Sequence, residues 1–156
     1  VFNWGEYIAD GSDGSIDVNA EFEALTGIKV NYTMYESNEV MYAKLKSGSD
    51  SYDVIIPSDY MISQLIAEDM ILPLDYQNIP NMANVDPQFM NMAFDPENLY
   101  TVPYTWGTVV SIYNTTMVDP ADDVETWDIL WNEKYAGNIL LFDNPRDAYG
   151  PSPIPI

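Results

Sequence analysis

Three short stretches carry side chains whose types and spacing could do chemistry. "NWGEYI" gathers Trp4, Glu6 and Tyr7; "PSDY" brings Ser58, Asp59 and Tyr60; "DNPRD" supplies Asp143, Asn144 and Asp147. The first two join carboxylate or hydroxyl oxygens to aromatic rings and hold no basic residue. The ligand such groups suit is a positively charged one with apolar segments. An alkylammonium leaving water needs a carboxylate and full hydrogen bonding, or its desolvation dominates. Each aromatic face adds about 0.5–2 kcal/mol of cation–π attraction, and each sheltered methylene about 0.8 kcal/mol. A micromolar complex needs only about −8 kcal/mol, within reach of two paired ammoniums on a short carbon stem.

Structural roles compete at the same positions. Trp4 and Tyr7 also fit as core aromatics at a sheet end, Ser58 as a helix N-cap, and Asp59 as a solvent-facing charge matched to a helix dipole. Trp106 in "PYTWGT" reads either as a packing residue of a crossover or as a wall of a site. Trp127 and Trp131, four apart on one helical face, read as core. The Asp10–Asp17 loop invites calcium but fails the EF-hand template. Counted from Asp10, Gly14 falls where an oxygen ligand is required and Ser15 where glycine is.

Composition narrows the field. Twenty-five acidic residues stand against five basic ones among 156, for a net charge of −20. That field repels nucleic acid and anionic lipid and draws cations to the surface. With no cysteine and no histidine, thiolate zinc sites, cysteine nucleophiles and the commonest general base are excluded. No cofactor is expected. No apolar run approaches the ~20 residues of a membrane span, and none resembles a signal peptide.

The elements that must position these residues alternate. After an extended opening at 1–4, Ser15 or Asp17 caps a helix whose Val18, Phe22 and Leu25 share a face before Gly27. The run 28–35 alternates as a strand, with Ile28, Val30, Tyr32 and Met34 on one side. Ser37 caps a second helix carrying Met41 and Leu45 up to Gly48. Residues 54–56 form an apolar strand stopped by Pro57, and a helix over 60–68 buries Ile62, Leu65 and Ile66. This rhythm predicts α/β architecture, a mostly parallel sheet covered by helices, with ligands at the carboxyl ends of the strands. The Pro- and Asn-rich stretch 78–100 reads as a surface passage with at most one short helix. Two extended stretches follow around Pro103 and Gly107. Thr126 caps a short helix, "WDILW", and "NILLFD" is a last strand. The alternating prolines of "PSPIPI" forbid a helix at 151–156.

In order along residues 1 to about 149, "NWGEYI", "YESNEVMYAKL", "YDVIIPSDY", "FDPENLYTVPYTWGT" and "LWNEKYAG" resemble the spermidine/putrescine-binding proteins of ABC importers. The resemblance implies a type II periplasmic-binding-protein fold, in which two α/β lobes close on a ligand. It further implies that Trp4, Glu6 and Tyr7, with Ser58 and Tyr60, line the first lobe's side of the cleft. Where the family carries "DDARE", this chain reads "DNPRD", so the two acidic contacts fall on Asn144 and Asp147, with Asp143 one position earlier. Family members are much longer. The expectation is therefore a first lobe over 1–105, incomplete without a returning segment, a crossover and start of the second lobe over 106–149, and an atypical tail over 150–156. A chain so truncated is expected to dimerise or swap domains through its exposed apolar face.

Function follows from the resemblance: non-catalytic capture of putrescine or spermidine on the periplasmic or extracellular side of the bacterial membrane, and delivery to a membrane permease. Nucleic acid is not a partner, and a lipid anchor would precede Val1. Alternatives on the same residues are a receptor for a ferric or small organic cation, and a carboxylate-dependent hydrolase.

Overall fold

Helix caps set the first unit's outline. The computed structural model describes residues 1–144, 146 and 148, and the chain divides into two compact units, Val1–Thr105 and Trp106–Ile156. The tail expected at 150–156 lies outside the described residues. Helix α1 (Val18–Thr26) opens at Asp17, whose side chain accepts the Ala20 N–H at 2.9 Å. Helix α2 (Asn38–Ser47) opens at Ser37, which accepts from Val40 N–H at 3.2 Å. Both end at a glycine in the left-handed region, Gly27 and Gly48, where a side chain would be strained. Helix α3 (Asp59–Ala67) follows Ser58.

Strand β1 (Phe2–Trp4) pairs in parallel with β2 (Thr33–Tyr35), Phe2 facing Thr33 and Trp4 facing Tyr35. On its other edge, Phe2 N–H donates to the Val54 carbonyl at 2.9 Å and Ile56 N–H donates to the Phe2 carbonyl at 3.1 Å. The strand expected at 54–56 is thus a single parallel bridge, Phe2 to Ile55. Parallel neighbours joined through helices are the α/β arrangement the sequence predicts.

The core of this unit is Phe2, Tyr35, Met41, Met61 and Leu65. Phe2 meets Tyr35 edge-on at 4.9 Å and stacks on Tyr52 at 4.3 Å. Burial of each side chain contributes about 1.5–3 kcal/mol. Three packing expectations are corrected. Of the strand expected at 28–35, only Thr33–Tyr35 forms, and it buries Tyr35, on the side opposite Met34, which is exposed as Ile28 is. A sheet offers two faces, and α2 and α3 cover the one bearing Tyr35. Helix α1 buries none of its residues, so Val18, Phe22 and Leu25 stay exposed. On α3 the buried pair is Met61 and Leu65, with Ile62 and Ile66 half-buried beside it.

The passage after α3 contains three 3-10 turns, Tyr76–Asn78, Pro80–Asn84 and Pro87–Phe89, rather than at most one helix. Asp95, buried, ties the passage together. Its carboxylate accepts from Leu99 N–H, Tyr100 N–H and the Thr101 hydroxyl, each at 2.9 Å. Buried Asn98 donates to the Tyr76 hydroxyl at 2.8 Å and to the Thr101 carbonyl at 2.9 Å.

In the second unit, "WDILW" is a 3-10 turn, Trp127–Trp131, and Thr126 makes no capping hydrogen bond. Ile129 is buried there, whereas Trp127 and Trp131, expected in the core, are exposed. Neither the stretches around Pro103 and Gly107 nor 138–143 forms a strand, and Leu140 is almost fully exposed. Their β-branched and apolar residues favour extension, but a strand needs a ladder partner, and the described residues provide none. Among the described residues no helix is long and apolar enough to cross a membrane.

Candidate functional site

The first unit brings together the chain that follows three parallel strand positions. After β1 come Glu6 and Tyr7; after β2 come Glu36 to Glu39; after the bridge at Ile55 come Ser58 to Tyr60. The first and third stretches carry a carboxylate beside an aromatic ring, the second carries two carboxylates just after Tyr35 at the end of β2, and none carries lysine or arginine.

Trp4 is half-buried and holds the first stretch in place. Its N–H donates to the side-chain oxygen of buried Asn3 at 2.8 Å. Its ring lies 4.8 Å from Tyr35 and 6.0 Å from Tyr7. Tyr7 accepts through its carbonyl a hydrogen bond from the Tyr104 hydroxyl. Glu6 is exposed, its carboxylate in water beside these rings.

Tyr35 links the two sides of this surface. Its hydroxyl donates to the Ile56 carbonyl, just before Ser58. Burial pushes the Tyr35 phenol well above its ordinary range, and the neighbouring phenols of Tyr32, Tyr60 and Tyr7 add to that. It is a fixed neutral donor at any physiological pH.

Ser58 sits at the N-cap position of α3 yet makes no side-chain capping bond, so capping does not occupy its hydroxyl. Its N–H donates to the side-chain oxygen of buried Asn38 at 3.2 Å. Asn38 in turn donates through Nδ2 to the Tyr60 hydroxyl at 2.9 Å, and that hydroxyl donates to Glu39 Oε1 at 3.0 Å. Asp59 is exposed and accepts the Tyr60 N–H at 2.7 Å. Sequence reasoning missed Tyr35, Asn38, Glu39 and Tyr104. Tyr35 ends β2, and Asn38 and Glu39 follow it as Glu6 follows β1, so the strand-end rule could have found them; the capping role of Ser37 drew attention away.

The second unit holds the remaining predicted residues. Asp143 is exposed. Asn144 uses its side-chain oxygen to accept the Arg146 N–H at 3.1 Å, and its carbonyl accepts the Ala148 N–H at 2.9 Å. That is a cap's geometry. It leaves the amide NH₂, a donor, as the group offered to a ligand. Asp147 lies outside the described residues.

Among the described residues no group of three acidic side chains is placed to hold a metal ion. Asp10 and Asp13 instead close turns of their own loop. Hydrogen bonds from Ser12 and Ser15 hold these carboxyls below the usual range.

Residues 18–152 match the family model described as bacterial extracellular solute-binding protein. The chain belongs to that family. It is 41% identical over 149 residues, 95% of its length, to the spermidine/putrescine-binding periplasmic protein of Escherichia coli. A solved structure from Listeria monocytogenes, described as belonging to spermidine/putrescine ABC transport, superposes with a TM-score of 0.87 at 39% identity. It covers 96% of this chain and 44% of that one. The substrate-binding protein of the spermidine/putrescine ABC transporter of Streptococcus pneumoniae, solved with calcium and HEPES, gives 0.70 at 45% identity. There the coverage is 86% and 39%. The chain therefore shares the periplasmic-binding-protein fold over the part it matches and spans about two fifths of the length of the curated relatives it matches.

Proposed function

We propose that this chain forms the first lobe's wall of an extracytoplasmic receptor that captures a polyamine, putrescine or spermidine, without chemical change. The receptor presents it to the permease of an ABC importer. The observation that carries the reading is the run of three strand ends, each with a carboxylate and an aromatic ring and none with a basic residue. Trp4 and Tyr7 cover the methylenes, Glu6 meets an ammonium, and Ser58 and Tyr60 supply oxygens from the neighbouring helix. In the second unit, Asn144 and Asp147, with Asp143 beside them, are further candidate ligand contacts on the strength of the resemblance alone. Close relatives named for spermidine and putrescine support the choice of ligand.

Calorimetric titration of the chain with putrescine and with spermidine tests this. Saturable binding is expected, weakened about tenfold or more by Glu6→Gln and by Trp4→Ala, as loss of a charge pair or a cation–π wall implies. Absence of binding at millimolar ligand, or binding indifferent to both substitutions, overturns it. The exposed apolar side chains of α1 favour self-association, which sedimentation at rising concentration would reveal.

A further inference from the structure

Among the described residues three α-helices open on a residue able to cap them, and two of those residues do so. Asp17 takes the Ala20 N–H and Ser37 the Val40 N–H. Ser58 takes none. Its backbone is extended, with φ −74° and ψ 161°, as that of a capping residue is. The conformation therefore permits the bond that the hydroxyl forgoes. Other groups close the first turn of α3. The Ser58 carbonyl accepts from the Met61 and Ile62 N–H groups, both at 3.1 Å, and Asp59 Oδ1 takes the Tyr60 N–H at 2.7 Å.

What holds this turn from outside is Asn38, the first residue of α2, which is fully buried. Its partners fix its orientation. The Ser58 N–H can only donate, so it meets Oδ1, at 3.2 Å. Nδ2 then donates to the Tyr60 hydroxyl at 2.9 Å, and that hydroxyl gives its own proton to Glu39 at 3.0 Å. One amide thus pins the start of α3 at two points, the backbone of Ser58 and the side chain of Tyr60. An ionised aspartate of the same size could accept from Ser58 but could not donate to Tyr60. We infer that Asn38 is a positioning residue for the ligand. By anchoring the start of α3 it stands in for the cap, and so leaves the Ser58 hydroxyl free to meet a ligand amine. The inference rests on the polyamine reading above and adds to it the residue that makes Ser58 available.

A cap left unmade forgoes stability that serine at this position ordinarily supplies. Proteins depart from such local rules where a site needs the group for something else. Asn38 offsets the loss, and burial lets it do so: a hydrogen bond shielded from water is stronger than one that water competes for. Being neutral, it also leaves unchanged the charge of exposed Glu6, Glu39 and Asp59, which draws a cation to this surface.

Affinity tests whether Asn38 acts through Ser58. In calorimetric titrations with putrescine, Asn38→Ala is expected to weaken binding about fivefold, the range of one hydrogen bond. In a Ser58→Ala background the same change should weaken it less than about twofold, because the group it positions is gone. Equal losses in the two backgrounds would mean that Asn38 acts elsewhere, and would overturn the proposal. Two further measurements need no ligand. In the natural chain the Asn38 Nδ2 protons should exchange with water far more slowly than those of the exposed Gln77 amide; equal rates would mean that the anchor is not there. In Asn38→Ala, the side-chain couplings of Ser58 should report its hydroxyl turning onto the α3 cap. A Ser58 rotamer unmoved by the substitution refutes the role even where polyamines bind. If Ser58 turns while the natural chain ignores putrescine, the anchoring stands and the polyamine reading is what fails.

Discussion

In the first unit, side chains from distant parts of the chain meet away from water: Phe2 packs with Tyr35, Met41, Met61 and Leu65. In the second, the described residues are held by polar contacts over shorter spans. Lys134 reaches back 15 positions to Asp119 and 12 to Asp122, and the Tyr135 hydroxyl accepts the Asp119 N–H. Ile129 is the buried hydrophobic residue among those described there. Apolar burial supplies a cooperative, salt-insensitive share of stability, whereas exposed ion pairs fix a local shape and fade with ionic strength. A lobe built the first way can hold a binding wall still, and one built the second way stays responsive to what surrounds it.

Core truncation should separate the two units most sharply. Phe2→Ala or Leu65→Ala is expected to cost about 3–5 kcal/mol in urea unfolding, against about 1–2 kcal/mol for Ile129→Ala at the edge of burial. Equal losses would break the comparison. Next comes Asp95→Ala, which strands two backbone N–H groups and the Thr101 hydroxyl. About 2–3 kcal/mol is expected, read as a lower midpoint and faster amide exchange at Leu99 and Tyr100. Raising salt to about 1 M, where the screening length falls to about 3 Å, should perturb the near-ultraviolet signal of Trp127 and Trp131 more than that of Trp4.

The smallest effect is a pH dependence. Hydrogen bonds from Lys46, Gln64 and Tyr42 lower the Glu68 carboxyl from 4.5 to about 2. A carboxyl depressed on folding stabilises above its unfolded value, and that contribution disappears as pH falls through the folded one. The stability difference between the natural chain and Glu68→Gln should therefore be full at neutral pH, shrink from about pH 4.5 and vanish near pH 2. A difference unchanged at low pH would mean that Glu68 acts by packing rather than by charge.

These contrasts also show what the sequence made legible. The caps at Asp17 and Ser37 and the glycines at 27 and 48 could be read because capping is a contact within four or five residues. The parallel order followed from the alternation of elements. Which face of β2 is buried could not be read, because Met34 and Tyr35 are both apolar enough to face a core and only the helices decide. The apolar run at 138–143 reads as a strand on propensity alone, yet pairing is a property of the partner. Trp4, Glu6, Tyr7, Ser58 and Tyr60 stood out because aromatic and acidic residues follow predicted strands. Asn38 and Glu39 hid inside a helix start, where polar residues are expected anyway, and Asn144 does double duty as a cap.

The uneven exposure of the four tryptophans has an optical consequence. Trp106, Trp127 and Trp131 are 70%, 37% and 51% exposed, whereas Trp4 is half-buried against Tyr35. A soluble collisional quencher extinguishes emission in proportion to access. With a net charge of −20, caesium is drawn to this surface and iodide repelled. Caesium would dim the three outer indoles first and leave a residual emission dominated by the ring beside Tyr7, so the chain carries its own fluorophore at the wall where a ligand would arrive.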